Sequence, residues 1–188
     1  MSSGGTRSTC SRISAVSDPT SDEFADIEAD NVAAAASYRL EVPTGMARRA
    51  VAIVTCIDTR IDPLRMFGLE PGDAKFLRNA GARVTDDVER SLAVAAAVLG
   101  VKRVAVVVHT DCRMASVTQD DAVAAVSRAS GSADLATRID YLTTGDGDQL
   151  DALRADVERL RALPVLAAGT PVAGYRLDLG SGLLHRIC

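Results

Sequence analysis

Two kinds of apolar pattern alternate along the chain. Residues 51–55 and 104–108 are short, unbroken runs rich in branched side chains, the signature of parallel strands buried on both faces. Residues 74–78 form a weaker run of the same kind. Residues 174–179, then Gly180-Ser181-Gly182, then 183–187 predict a terminal strand with a hairpin return. Between these runs the period lengthens to that of helices. Thr20-x-x-Glu23 resembles a capping box that opens an Ala-rich helix over 20–37. Asp62-Pro63 starts a short helix that ends near Gly68. Residues 85–99 predict a helix with acidic residues in its first turn and Gly100 after its end. Its small-residue stripe Ala93, Ala96, Ala97, Gly100 is expected to pack on the sheet. Thr118 caps a helix over 118–129, and a further amphipathic helix spans 148–163 and stops at Pro164. Residues 130–147, rich in Gly, Ser and Asp, read as a surface loop with a short turn of helix at 135–142.

Strands alternating with helices define an α/β protein with a mainly parallel sheet and right-handed crossovers. Residues 1–19, rich in Ser, Gly and Thr, read as a flexible tail, and 20–188 as a single domain.

Composition narrows the function. The chain has 188 residues and 47% hydrophobic content, with aromatics at 3% and no Trp, so Ala, Val and Leu must fill the core. A net charge of −4, with no basic stripe, argues against a nucleic-acid partner. No apolar run reaches membrane-spanning length, and no apolar segment follows Arg7 and Arg12 as a secretory leader would need. A cytoplasmic location is expected. In that compartment cysteines read as ligands, catalytic thiols or small buried residues rather than as a disulfide framework.

The chemistry concentrates where two strands end. Cys56-Ile57-Asp58-Thr59-Arg60 follows the first apolar run, and His109-Thr110-Asp111-Cys112 follows the run at 104–108. Open α/β sheets build their sites at the carboxyl ends of such strands. Two thiolates and an imidazole suit Zn²⁺. Cys56, His109 and Cys112 are expected to hold one zinc per chain and to leave a fourth position for water, whose pKa the metal would lower toward neutrality. Asp58 and Arg60 alternate along an extended loop, so Arg60 is expected to grip the Asp58 carboxylate bidentately. Held so, Asp58 would accept a hydrogen bond from the zinc-bound water; released, it could bind zinc itself. Arg78 reads as a backbone or interface anchor, Asn79-Ala80-Gly81 as a turn near the pocket, and Asp111 as a residue that orients the metal loop. Cys10, Cys188 and His185 have no partner at ligand spacing. A cysteine-dependent phosphatase would need five residues between its nucleophile and its arginine; only three separate Cys56 from Arg60.

At these residues the chain resembles the β-class carbonic anhydrases: C-x-D-x-R at Cys56, Asp58 and Arg60, H-x-x-C at His109 and Cys112, and Arg78-Asn79-Ala80-Gly81 between them. The likeness is strong over residues 45–115. It implies a Rossmann-like sheet of four parallel strands plus a fifth, zinc at its carboxyl edge, and a homodimer or dimer of dimers paired partly by the N-terminal helix. It implies reversible hydration of CO₂ to bicarbonate, with Asp58 and Arg60 as the catalytic pair. The compact form also resembles carbonyl sulfide hydrolases, and a zinc-bearing protein without catalysis is a third reading. The sequence departs from the family in two respects. Arg113 stands where glycine usually follows the second cysteine, which bears on the substrate pocket. The glutamine that many members use to line that pocket has no clear counterpart.

Overall fold

In a computed structural model the described residues are 23–39, 44–132, 147–167 and 169–188, together with 134, 137, 140, 141 and 144. Residues 23–39 and the rest of the described chain belong to two separate compact units.

The first unit contributes helix α1, Ala25–Ala35. Thr20 lies outside the described residues, and Phe24 stands at the N-cap without a side-chain cap bond. None of the α1 residues is buried. An isolated helix of this length is marginal in water.

The second unit is a five-stranded sheet flanked by helices. Its strands are β1 (Val51–Cys56), β2 (Ala74–Asn79), β3 (Arg103–His109), β4 (Val172–Leu177) and β5 (Leu184–Arg186), in the order β2-β1-β3-β4-β5. The first four are parallel, and β5 returns antiparallel to β4. Parallel pairing requires crossovers, and helices supply them: α2 (Pro63–Met66), α3 (Asp86–Ala97), α4 (Gln119–Ser130), α5 (Gln149–Arg161) and α6 (Pro164–Ala167). The caps follow the sequence signals. Asp62 accepts from the Arg65 amide, Thr85 from Val88, Asp148 from Leu150 and Asp151, and Thr118 forms a full capping box with Asp121.

Helix α3 packs on β1, α5 on β3 and β4, and α6 against α3 and α5. The core between them is aliphatic: Val54, Val106 and Val108 from the sheet, Leu92 from α3, Leu153 and Leu160 from α5, and Leu166 from α6. One expectation is corrected. The buried stripe of α3 is Val88, Leu92 and Ala95, whereas Ala97 is exposed. These positions follow the i, i+4, i+7 rule with larger side chains, which remove more apolar area from water than the alanine stripe would. The helix before Pro164 stops ahead of it, as the sequence implies, and Pro164 is in addition the first residue of α6, where a missing N–H costs nothing. Most of the turn of helix expected at 135–142 lies outside the described residues.

One buried ion pair ties α5 to the β2–α3 connection. Asp156 accepts from Arg83 Nε at 2.7 Å and from the Val84 amide at 3.1 Å. Asn79 closes the same turn: its side chain accepts from the Arg83 amide and donates to the Arg83 carbonyl. This turn carries Gly81, one of the residues around the site. The sheet face away from α3 and α5 bears an apolar groove of about 360 Å³. Val51, Ile53, Ala105, Ala173 and Tyr175 contribute to it, with Arg49, Arg103 and Arg186 among its lining.

Candidate metal centre

Cys56 is the last residue of β1 and His109 the last of β3, and the two strands are hydrogen-bonded neighbours. Their ends therefore bring both side chains to one point. Asp111 adopts a left-handed conformation, φ 54°, which turns the chain back so that Cys112 reaches the same point. The donor atoms of Cys56, His109 and Cys112 all lie within 4.8 Å of one another, and all three residues are buried.

Each donor is prepared by its surroundings. The backbone at Gly81 and Asp58 favours the ionised form of Cys56, and that at Met114 and Ala115 the ionised form of Cys112. Gly81 stands in a turn at φ +85°, a conformation glycine takes at little cost. The Cys112 thiol, foremost, holds the Cys56 pKa well below its ordinary value, against the opposing effect of burial. Sharing that proton with Cys56, and burial, raise the Cys112 pKa. Burial lowers the His109 pKa, but the Cys56 sulfur, the Thr110 carbonyl and the Asp58 charge together carry it above its ordinary value. His109 Nδ1 pairs with the Thr110 carbonyl at 2.9 Å, so Nδ1 carries the proton of the neutral ring and Nε2 offers its lone pair inward. Nε2 is buried and makes no hydrogen bond. A buried imidazole nitrogen without a hydrogen-bond partner and facing two sulfurs fits a soft or borderline metal.

Beside the donors sits Asp58, with Oδ2 3.9 Å from His109 Nε2. Arg60 grips it as expected, through Nε to Oδ1 at 2.9 Å and NH2 to Oδ2 at 2.7 Å. The local geometry differs from the extended loop the sequence suggests. Residues 58–61 form a tight turn in which the Arg60 amide donates to Asp58 Oδ1 and the Ile61 amide to the Asp58 carbonyl. An aspartate that closes its own turn in this way brings Arg60 back onto itself. Arg60 holds the Asp58 pKa well below the carboxylate range, and Asp58 with Asp111 raises that of Arg60.

Arg78 serves as a backbone anchor: it donates to the carbonyls of Cys56 and Asp58. The turn at Asp111 places Cys112, but the Asp111 side chain bonds none of the three donors in the hydrogen bonds described. Its carboxylate and its carbonyl both accept from Arg60, at 2.6 and 2.9 Å. A cavity of about 480 Å³ opens over the site, and Arg113, Ser116 and Gln149 line it with Arg60 and His109. Asn79, Ala80 and Gly81 are not among its lining residues; they build the turn around Cys56. Gln149, at the start of α5, donates to the His109 carbonyl at 3.3 Å. Its place at the site could not be read from spacing, because only the packing of α5 on the sheet brings it there. His185 is exposed on β5, and Cys188 is half-buried behind β4, away from the donors.

This arrangement belongs to a recognisable class. Residues 51–159 match the family model described as carbonic anhydrase. The chain is 33% identical over 162 residues to β-carbonic anhydrase 1 of Mycobacterium tuberculosis, covering 86% of this chain and 96% of that protein. A shorter stretch, 73 residues, is 41% identical to the carbon disulfide hydrolase of Saccharolobus solfataricus, covering 39% of this chain and 36% of that one. Among solved structures, a carbonic anhydrase from Streptococcus mutans superposes with a TM-score of 0.78 at 30% identity, covering 89% of this chain and 99% of that one. The chain belongs to the β-carbonic anhydrase family. Zinc is the cofactor of that family, and the Cys–His–Cys group here is positioned to bind one such ion.

Proposed function

We propose that the protein catalyses the reversible hydration of CO₂ to bicarbonate and a proton, with Cys56, His109 and Cys112 as its zinc ligands. The observation that carries this reading is the pairing of a buried Cys–His–Cys donor set with a carboxylate that is fixed beside it and kept ionised. Zinc in such a site supplies Lewis acidity, which makes water a competent nucleophile near neutral pH. The protein's own residues do the rest. Asp58 is acceptor-only while Arg60 holds it, so it takes a hydrogen bond from the attacking water and aims a lone pair of the water oxygen at carbon. One C–O bond forms, one C=O π pair moves onto oxygen, and a proton leaves to solvent. Arg60 keeps Asp58 from taking that proton. Arg113 and Gln149 bound the cavity in which the linear substrate and the anionic product sit.

A second reading is hydrolysis of carbonyl sulfide or a related heterocumulene. It is favoured by the 41% identity of one segment to a carbon disulfide hydrolase. Such substrates are linear and electrophilic at carbon, so the same attack applies. Stopped-flow assays of CO₂, carbonyl sulfide and carbon disulfide on one zinc-loaded preparation decide between them. The expected result is a CO₂ hydration rate far above the buffer rate and the largest kcat/KM of the three. A larger value for either sulfur compound selects the second reading, and no turnover of any leaves a zinc-bearing protein without catalysis.

The assembly proposed is a homodimer or dimer of dimers. Helix α1 exposes Phe24, Ile27 and Val32 beside Asp26, Glu28 and Asp30, which suits a partner surface that is apolar and basic. A cytoplasmic location suits ligands that must stay reduced, since Cys56 and Cys112 are free thiols. Among the described residues no helix is long and apolar enough to cross a membrane.

A further inference from the structure

Arg60 joins two loops that the chain separates by about fifty residues. Three of its N–H groups serve Asp58: the amide and Nε bond to Oδ1, and NH2 to Oδ2. The outer edge of the guanidinium serves Asp111: NH1 donates to Oδ2 at 2.6 Å and NH2 to the carbonyl at 2.9 Å. One planar group therefore reads two aspartates, one on each of the two loops that carry the metal donors.

We propose that Asp111 is a positioning residue for Asp58, acting through Arg60. It rests on the reading of Asp58 as the group that orients the attacking water. The side chain of Arg60 is 50% exposed and that of Asp111 81% exposed. A lone ion pair at such exposure holds its geometry weakly, because a long side chain gives up rotamer freedom for little Coulomb energy. Two anchors change this. Once Asp111 fixes the outer edge of the guanidinium, the inner edge has a single orientation, and Asp58 pairs with a group that is already ordered. The left-handed turn at Asp111 makes this possible, since it points the carbonyl and the carboxylate toward the same arginine. Without the outer anchor Arg60 can swing to solvent, and Asp58, 3.9 Å from His109 Nε2, keeps only the Arg60 amide of these three bonds and can turn toward the donors.

The backbone and side-chain roles of Asp111 separate cleanly by substitution. Glycine accepts φ 54° better than aspartate does, so Asp111→Gly keeps the turn and the carbonyl and removes only the carboxylate. Asp111→Asn keeps an acceptor oxygen and tolerates the left-handed conformation. The expected outcome for Asp111→Gly is full zinc content, kcat for CO₂ lowered about tenfold, and KM little changed. Asp111→Asn is expected to recover most of the loss. A second readout needs no turnover. In the cobalt-substituted protein, the visible bands of Asp111→Gly should differ from those of the wild type, and their response to thiocyanate should need more anion. A freed Asp58 competes for the place the anion takes. Wild-type cobalt bands and thiocyanate response in Asp111→Gly overturn the proposal. Altered bands in a protein whose wild type does not hydrate CO₂ would uphold the role of Asp111 and reject the proposed reaction instead.

Discussion

Arg78 Nε donates to the Cys56 carbonyl at 2.9 Å, and its NH2 reaches the Asp58 carbonyl at 2.8 Å. An arginine at the end of β2 thus clamps the backbone of the neighbouring loop at the first donor and at the carboxylate together. A lysine offers one point charge and cannot span both carbonyls. Arg78→Lys is expected to fold and to bind zinc about tenfold more weakly, measured by competition with a chelator of known affinity. Unchanged affinity would mean that the loop holds its shape without the clamp.

Asp58→Ala removes the group proposed to orient the water and leaves the three donors in place. Zinc content is expected to stay at the wild-type level while kcat/KM for CO₂ falls about a hundredfold or more. Metal analysis and stopped-flow hydration on the same preparation check this. Wild-type turnover across about pH 6 to about pH 9, where an ordinary carboxylate is ionised, would remove Asp58 from the mechanism.

Arg113 lines the cavity with its backbone at the start of a single 3-10 turn, Arg113–Ser116. An Arg113 side chain turned into the cavity would favour an anion near the donors and narrow the approach of a neutral linear substrate. Slow release of a retained anion limits turnover when chemistry is fast. Arg113→Gly is therefore expected to raise kcat severalfold and to weaken inhibition by small anions. If neither changes, the side chain serves solvent rather than the pocket.

The donors were legible in the sequence because they end strands. A branched apolar run followed at once by a cysteine or histidine fixes both the element and the place of the ligand; that β1 and β3 are neighbours is a matter of strand order, which the alternation of elements leaves open. The bidentate grip of Arg60 on Asp58 was legible for the wrong reason, since a tight turn and not an extended segment brings them together. The second partner of Arg60 was not legible at all. It depends on a positive φ at Asp111 and on how close two loops from different strands come, and neither leaves a local pattern. Gln149 was missed for a related reason: its neighbour His109 is forty residues away, and only α5 packing joins them. The stripe of α3 was misphased because small residues lie on two adjoining faces of that helix, and the larger Val88 and Leu92 decide which one turns inward.

Asp156 bears much of the load between α5 and the turn that carries Gly81. Asp156→Ala removes the buried carboxylate that accepts from Arg83 Nε and NH2 and from the Val84 amide. Breaking one half of a buried pair is expected to cost about 3–5 kcal/mol, read from urea unfolding. A loss below about 1 kcal/mol, the scale of an exposed pair, would show that the turn does not depend on it.

Acid should destabilise the fold by a traceable route. The Glu70 amide, the Thr118 hydroxyl and the Ser181 hydroxyl, as the foremost causes, hold Asp73, Asp121 and Asp178 below the ordinary carboxylate value. A folded pKa below the unfolded one means that the unfolded chain takes up protons first as pH falls. The stabilisation is complete above about pH 4 and is lost as the pH drops through the lower folded values. The urea midpoint is expected to fall below that pH, and to fall less steeply in Asp121→Asn. A midpoint that rises on acidification would contradict this assignment.

Everything proposed for the site depends on Cys56, His109 and Cys112 holding one metal together. Zinc K-edge X-ray absorption of the purified protein, with metal analysis of the same sample, tests this most directly. The expected result is one zinc per chain, with two sulfur neighbours at about 2.3 Å and nitrogen or oxygen neighbours at about 2.0–2.1 Å; in Cys112→Ser one sulfur disappears and most of the metal is lost. Zinc without sulfur neighbours, or Cys112→Ser retaining its full metal content and both sulfurs, would contradict the assignment.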